Sequence, residues 1–398
     1  MIAAIAQGDS RIRNFSTGAD CHSTLGCVRA LGAGVEGSGT EFVIRGRGLD
    51  GLRAPATDLD AGNSGSTIRM LSGILAGQPF RSRIFGDESL SRRPMKRIMD
   101  PLGRMGAKLS ARDNQFPPIE IEGGRLQPID YPLPVASAQV KSCVLLAGLY
   151  ADGVTFVTEP SRSRDHTEIA LREFGAELAA ERGRISVKGR PALEARNMDA
   201  PSDISSAAFF IVAALLVPGS NLAIRGVGLN PTRSALLDFL TGMGAKIRIP
   251  ELESQNGELV GDLVVEHSEL RGGEISGGLT AALIDEIPVL AVLGAKTEQG
   301  LTVRDASELR IKETDRIKTV VENLRRLGVK AEELPDGMVI PGRQNFHAAE
   351  FDSFGDHRIG MAFAVAALAA NGPSVIHEAE AASISFPEFW KTLAHCVK

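Results

Sequence analysis

The stretch Ala207-Ala-Phe-Phe-Ile-Val-Ala-Ala-Leu-Leu-Val217 runs for eleven residues without a polar side chain, entered through Asp203-Ile-Ser-Ser206 and left through Pro218-Gly219. An Asp or Ser ahead of an apolar run and a Gly behind it mark where a helix starts and stops. A helix with no polar face has no side to turn to water, so it predicts burial all round. It is too short to cross a bilayer, which takes about 20 apolar residues. The reading is a helix enclosed within a globular domain.

The same pattern recurs on either side of it. An Ala/Leu-rich helix end, a Gly turn and a β-branched strand appear six times, over Ile2–Phe15, Leu71–Phe85, Val144–Val157, Phe210–Ile224, Leu290–Val303 and Ala364–Ile376. The turn glycines, Gly8, Gly77, Gly153, Gly219, Gly300 and Gly372, are spaced by 66 to 81 residues. A second helix end, capped by Gly32, Gly106, Gly175, Gly244 or Gly328, follows in five of the six, and two short extended runs come after it. Repetition of this kind is the mark of a chain built from one supersecondary unit. The unit reads helix, strand, helix, strand, strand. Its strands alternate apolar and charged residues, as in Ile119-Glu-Ile-Glu-Gly123, so each sheet exposes one face. The prediction is an α/β protein with helices inside and sheets outside, three units to a domain. The polar stretch Glu194-Ala-Arg-Asn-Met-Asp-Ala-Pro201 divides it into domains 1–200 and 201–398.

Composition narrows the partners. The 44 Lys and Arg against 49 Asp and Glu give a net charge of −5, without the basic excess that a phosphate backbone demands. Aromatic residues are 5%, with one Trp, which argues against a base-stacking surface. Cys21, Cys27, Cys143 and Cys396 form no C-x-x-C pair, and the seven histidines show no metal-ligand spacing, so free thiols and no metal are expected. The opening Met-Ile-Ala-Ala-Ile-Ala lacks a basic flank and is too short for a signal peptide. A soluble cytoplasmic protein with small-molecule ligands, no nucleic acid and no membrane is predicted.

Polar residues gather where the apolar helices begin, at Asn63-Ser-Gly-Ser-Thr-Ile-Arg69, Ser137-Ala-Gln-Val-Lys141, Asp203-Ile-Ser-Ser206, Asp285-Glu286 and Asp356-His-Arg358. Free N–H groups and the helix dipole favour anions there. Second-helix starts add Asp20, Arg93-Pro94, Ser163-Arg-Asp165, Asn230-Pro231, Lys312-Glu-Thr-Asp-Arg316 and Ser385-Phe-Pro387. Ser, Asp and Pro are common helix-start residues with or without a ligand. Arginine is not: Arg69, Arg93, Arg316 and Arg358 oppose the dipole unless an anion lies among them. Four in equivalent places point to a polyanionic ligand. Asp285 and Glu313 are the acid/base candidates. The apolar neighbours of Asp285, Ile284 and Ile287, suggest a raised pKa, although a plain N-cap would read the same way. Glu313 reads equally as part of a surface charge network.

On these motifs together with Ser91-Arg-Arg-Pro94 and Leu309-Arg-Ile-Lys312, the chain resembles the EPSP synthase family of enolpyruvyl transferases, from Met1 to about Phe389. The resemblance implies a two-domain inverse α/β fold of six βαβαββ units closing on shikimate 3-phosphate and phosphoenolpyruvate. The acceptor's 5-hydroxyl attacks C2 of phosphoenolpyruvate while C3 is protonated, and the adduct then loses phosphate, with no metal or organic cofactor. By position it implies Asp285 at the acceptor hydroxyl as base and Glu313 in proton transfer at C3, with the division of protons between them open. It places Ser137, Gln139, Ser163, Asp285 and Lys312 on shikimate 3-phosphate, Ser137 and Ser163 near its phosphate. Phosphoenolpyruvate falls to Asn63, Gly65, Arg93, Gln139, Arg316 and Arg358, with Arg69, Asp356 and His357 in support. A monomer is expected.

The family's Pro-Gly-(Asp/Ser)-Lys-Ser-x-x-x-Arg segment would precede the match to Met1–Gly8. The repeat spacing likewise puts a first helix head ahead of Met1. Both lead to the expectation that the first domain lacks that head and the second one strand, with impaired activity. Ala138 and Ile384 depart from some members. The alternatives are a non-catalytic relative and a UDP-N-acetylglucosamine enolpyruvyl transferase, disfavoured because Ser89-Leu-Ser-Arg-Arg-Pro94 stands where that family carries a cysteine or aspartate. The resemblance also implies inhibition by glyphosate at the phosphoenolpyruvate site, where Gly65 leaves room.

Overall fold

The computed structural model describes residues 1–397. The expected end of the second domain, Lys398, lies outside the described residues. The chain separates into two compact units, Met1–Ala200 and Pro201–Lys398.

In the first unit three four-stranded sheets surround a helical core. Each sheet begins with a parallel pair and continues antiparallel. Asp130–Pro132 pairs with Val154–Thr158, which pairs with Arg184–Lys188 and then Leu178–Glu181. Leu59–Asp60, Arg81–Phe85, Phe116–Glu122 and Lys108–Arg112 repeat that order. In the sheet of Gln7–Arg13 the parallel partner is Met198–Asp199, supplied by the far end of the same unit. The alternation works as the pattern requires: Ile119 and Ile121 face inward, while Glu120 and Glu122 face out. Two helices, α1 (Gly65–Ala76) and α2 (Ala138–Gly148), form the centre and are buried along nearly their whole length. They touch backbone to backbone at Gly73, where a Cβ would lie 2.2 Å from the Cys143 carbonyl oxygen.

The second unit repeats the plan. Its helix α3 (Ile204–Leu216) holds the run that opened the reading, and ten residues from Ala207 to Leu216 are helical before Val217 turns extended. With α4 (Ile287–Lys296) and α6 (His357–Leu368) it forms a core that Phe209, Phe210 and Phe389 close edge to face. Helix α5 (Arg316–Arg326) is amphipathic and buries Ile317, Val320, Val321 and Leu324. Asn221–Gly228, Glu258–Glu266 and Lys246–Arg248 form one sheet, extended by Leu252–Gln255. Gly273–Ile275, Leu301–Val303, Gly337–Ile340 and Glu332–Leu334 form another, and Glu350–Asp352 pairs in parallel with Val375–His377. The fold is the helices-inside, sheets-outside α/β arrangement. Two local readings differ. Gly8 is not in a turn but inside the strand Gln7–Arg13, at φ +107°. The helix expected at Asn230-Pro231 begins only at Ala235, after a turn in which Asn230 accepts from the Thr232 N–H. Among the described residues no helix is long and apolar enough to cross a membrane.

Candidate active site

The helix heads place the polar side chains. In the first unit Ser64 caps α1 by accepting from the Thr67 N–H, and Ser137 caps α2 by accepting from Val140. Asn63, just ahead of α1, takes a hydrogen bond from Arg93 Nη2 at 2.7 Å and gives one to Asp87 at 2.6 Å. Ser89 accepts from the same Arg93 nitrogen at 3.1 Å. Arg69 Nη1 donates to Gln139 Oε1 at 2.6 Å, and Gln139 Nε2 donates to Ser66 at 2.9 Å, so α1 orients the first turn of α2. The two guanidinium groups meet over Gly65: a Cβ there would sit 3.0 Å from Arg69 Nη1 and 3.5 Å from Arg93 Nη1. Two cations beside a helix N-terminus have the charge and the donor geometry to hold an anion. Ser163 lies in the loop before His166–Glu173, with its N–H and hydroxyl on Glu159.

In the second unit the predicted residues converge on one cluster. Arg316, the first residue of α5, is 1% exposed and donates from Nε to Asp356 Oδ2 at 2.7 Å and from Nη2 to Glu313 Oε2 at 2.5 Å. Asp356 also caps α6 by accepting from the Arg358 N–H at 2.9 Å. Asp285 stands one residue ahead of the cap of α4, and four cations face it. Its Oδ1 lies 3.7 Å from Arg316 and 4.0 Å from Lys312; its Oδ2 lies 3.9 Å from Arg358 and 4.0 Å from Arg233. The apolar setting inferred from Ile284 and Ile287 is therefore a property of the backbone turn, not of the carboxylate. Arg358 Nη1 donates to the Asp285 backbone carbonyl at 2.9 Å, tying the heads of α4 and α6 together. Glu313 is partly buried and is an ion-pair partner of a buried guanidinium.

Burial and ion pairing compete to set the protonation here. Burial would strip Arg316 of its proton, but Asp356, Glu313 and Asp285 outweigh it and hold its pKa above the ordinary value. Burial likewise pushes Asp356 up, and Arg316 more than reverses this, leaving the carboxyl below its usual range. His357 is pushed down to about 4, chiefly by burial and further by Arg358 and Arg316 against the opposing pull of Asp356. It is neutral at pH 7. Among the described residues no group of three or more His, Cys, Asp or Glu is arranged to hold a metal ion.

Two supporting cations, Arg233 and Lys141, were given no role by the sequence. Arg233, in the turn after Asn230-Pro231, donates to Ser205, which donates to Glu286. Lys141, buried in α2, bridges Glu159 and Glu168. A lone Lys before Ser142-Cys-Val-Leu-Leu146 was the available signal, since an ammonium inside an apolar helix has to be paired.

The profile of the EPSP synthase family (3-phosphoshikimate 1-carboxyvinyltransferase) matches residues 1–393. The 3-phosphoshikimate 1-carboxyvinyltransferase of Solibacter usitatus is 76% identical over 393 residues, covering 99% of this chain and 92% of its own. That of Koribacter versatilis is 54% identical, covering 100% and 93%. The solved EPSP synthase of Acinetobacter baumannii superposes with a TM-score of 0.88 at 41% identity, over 100% of this chain and 92% of that one. The enolpyruvyl transferase NikO of Streptomyces tendae shares the fold, with a TM-score of 0.78 at 19% identity over 100% and 91%. Matched along nearly its whole length in sequence and in structure, the chain belongs to the EPSP synthase family, the 3-phosphoshikimate 1-carboxyvinyltransferases.

Proposed function

We propose that the chain transfers the enolpyruvyl group of phosphoenolpyruvate to the 5-hydroxyl of shikimate 3-phosphate through the residues gathered at its helix heads. In the first unit the reading gives Asn63, Gly65, Arg93 and Gln139 to phosphoenolpyruvate, and Ser137, Gln139 and Ser163 to shikimate 3-phosphate. In the second it gives Arg316 and Arg358 to phosphoenolpyruvate, and Asp285 and Lys312 to the acceptor. Forked guanidinium groups suit a carboxylate and a phosphate, and their charge favours the tetrahedral adduct. The hydroxyl oxygen bonds to C2, a proton is added at C3, and the adduct then loses a C3 proton and inorganic phosphate. Asp285 faces the hydroxyl and Glu313 serves proton transfer at C3. His357, neutral at pH 7, backs the clamp.

The observation that carries this reading is Asp285 facing Lys312, Arg316 and Arg358, with Glu313 on the same Arg316. A base poised among the groups that bind both reactants needs this arrangement. The test is phosphate release with both substrates. Asp285→Ala should lower kcat by about 10²–10⁴-fold, the range for loss of a general base, while shikimate 3-phosphate still binds. Unchanged kcat would refute the role.

A further inference from the structure

Behind Ser163 lies a charge cluster that the reaction does not use directly. Lys141 is 1% exposed, with Glu159 Oε2 at 3.1 Å and Glu168 Oε1 at 2.7 Å, both carboxylates equally hidden. One cation between two acids leaves an excess charge that the interior resists, so the hydrogen bonds each acid makes set the two apart. Glu159 is filled on both oxygens: Oε2 takes Lys141, and Oε1 takes the Ser163 backbone N–H at 3.2 Å and the Ser163 hydroxyl. Glu168 Oε2 is buried with no hydrogen-bond partner among the described residues. Burial, against the opposing pull of Lys141, raises its pKa above the ordinary value. Glu159 is the acid with both oxygens occupied, and one of them is directed at Ser163.

We propose that Glu159, neutralised from behind by Lys141, is a positioning residue that holds Ser163 ready for the acceptor's phosphate. This rests on the assignment of Ser163 to shikimate 3-phosphate. Two donors of one residue on one carboxylate oxygen fix both the backbone and the side chain of a loop residue, so its ordering is complete before the ligand arrives. A bare carboxylate in that place would repel a phosphate, and the buried ammonium cancels the repulsion. When the hydroxyl turns to the phosphate, the N–H stays on Glu159 and the loop remains anchored.

The test is titration of the full chain with shikimate 3-phosphate, alongside steady-state kinetics, for Ser163→Ala, Glu159→Gln, their double variant and Glu168→Gln. Ser163→Ala and Glu159→Gln should each weaken acceptor binding about tenfold, the loss of roughly one charge-assisted hydrogen bond. The double variant should be no more than about twofold weaker than Ser163→Ala, because both act through one contact. The KM for the acceptor should rise while kcat holds, and Glu168→Gln, equally buried on Lys141, should bind normally. Additive losses, or an equal defect in Glu168→Gln, would overturn the proposal and leave the Ser163 assignment standing. Normal binding by Ser163→Ala would overturn both.

Discussion

Arg316 holds Asp356 by two hydrogen bonds, Nε to Oδ2 at 2.7 Å and Nη2 to Oδ1 at 3.2 Å, with both side chains closed off from water. Asp356 at the same time caps α6 and accepts from Thr314. Removing one member of such a pair leaves a buried charge uncompensated, which costs about 3–5 kcal/mol. Asp356→Ala should therefore lower the unfolding free energy of the second unit, read from urea titration, by that amount and mis-aim Arg316. A loss below about 1 kcal/mol would show that the pair is not structural.

Acid should weaken the same unit in two stages. The folded pKa of His357 is lowered to about 4 from 6.5, so between those values the unfolded chain holds a proton that the folded one refuses. Stability from this group is full above pH 6.5 and falls as pH drops to 4, by up to about 3 kcal/mol. Asp356, whose carboxyl is held down in the fold, adds a second loss below its ordinary value of 3.8. Stability measured against pH should show the first limb, and His357→Gln should flatten it.

Gly65 lies under two guanidinium groups, and a Cβ there meets only their ends. Those ends can shift by a few tenths of an ångström, so Gly65→Ala should fold with an unchanged Tm. Phosphoenolpyruvate binding should weaken severalfold, and glyphosate inhibition should weaken as well. If neither ligand senses the methyl group, phosphoenolpyruvate does not bind over Gly65.

Gly73 faces backbone instead. A Cβ 2.2 Å from the Cys143 carbonyl has nowhere to go without parting α1 from α2. Gly73→Val should destabilise the first unit by roughly 1–3 kcal/mol or more, the usual cost of overpacking a core. The measurement is the thermal midpoint of the variant, and an unshifted midpoint would mean that the two helices can separate freely.

The polar helix heads were legible in the sequence, because capping residues carry their own chemistry. Ser64, Ser137, Asp203 and Asp356 each cap a helix where the polar-before-apolar pattern puts them. The misreadings share one cause. Asp285 has apolar neighbours in the chain and cationic neighbours in space, and no local window contains Arg233, Lys312, Arg316 and Arg358 together. Glu159 and Glu168 carry no distinguishing mark in the sequence, and only the fold sets Lys141 between them.

By itself the sequence determined the repeat, the apolar helices, the outward-facing sheets and the helix ends that carry polar groups. Periodicity, capping and burial are local properties, written within a turn or two of each residue. Only the tertiary structure decided which charges meet: that Arg316 pairs with Asp356, that Arg69 orients Gln139, and that Lys141 stands behind Ser163 by way of Glu159. Arg316 and Asp356 are 40 positions apart and Arg69 and Gln139 are 70 apart, and charge acts through distance in space rather than order in sequence.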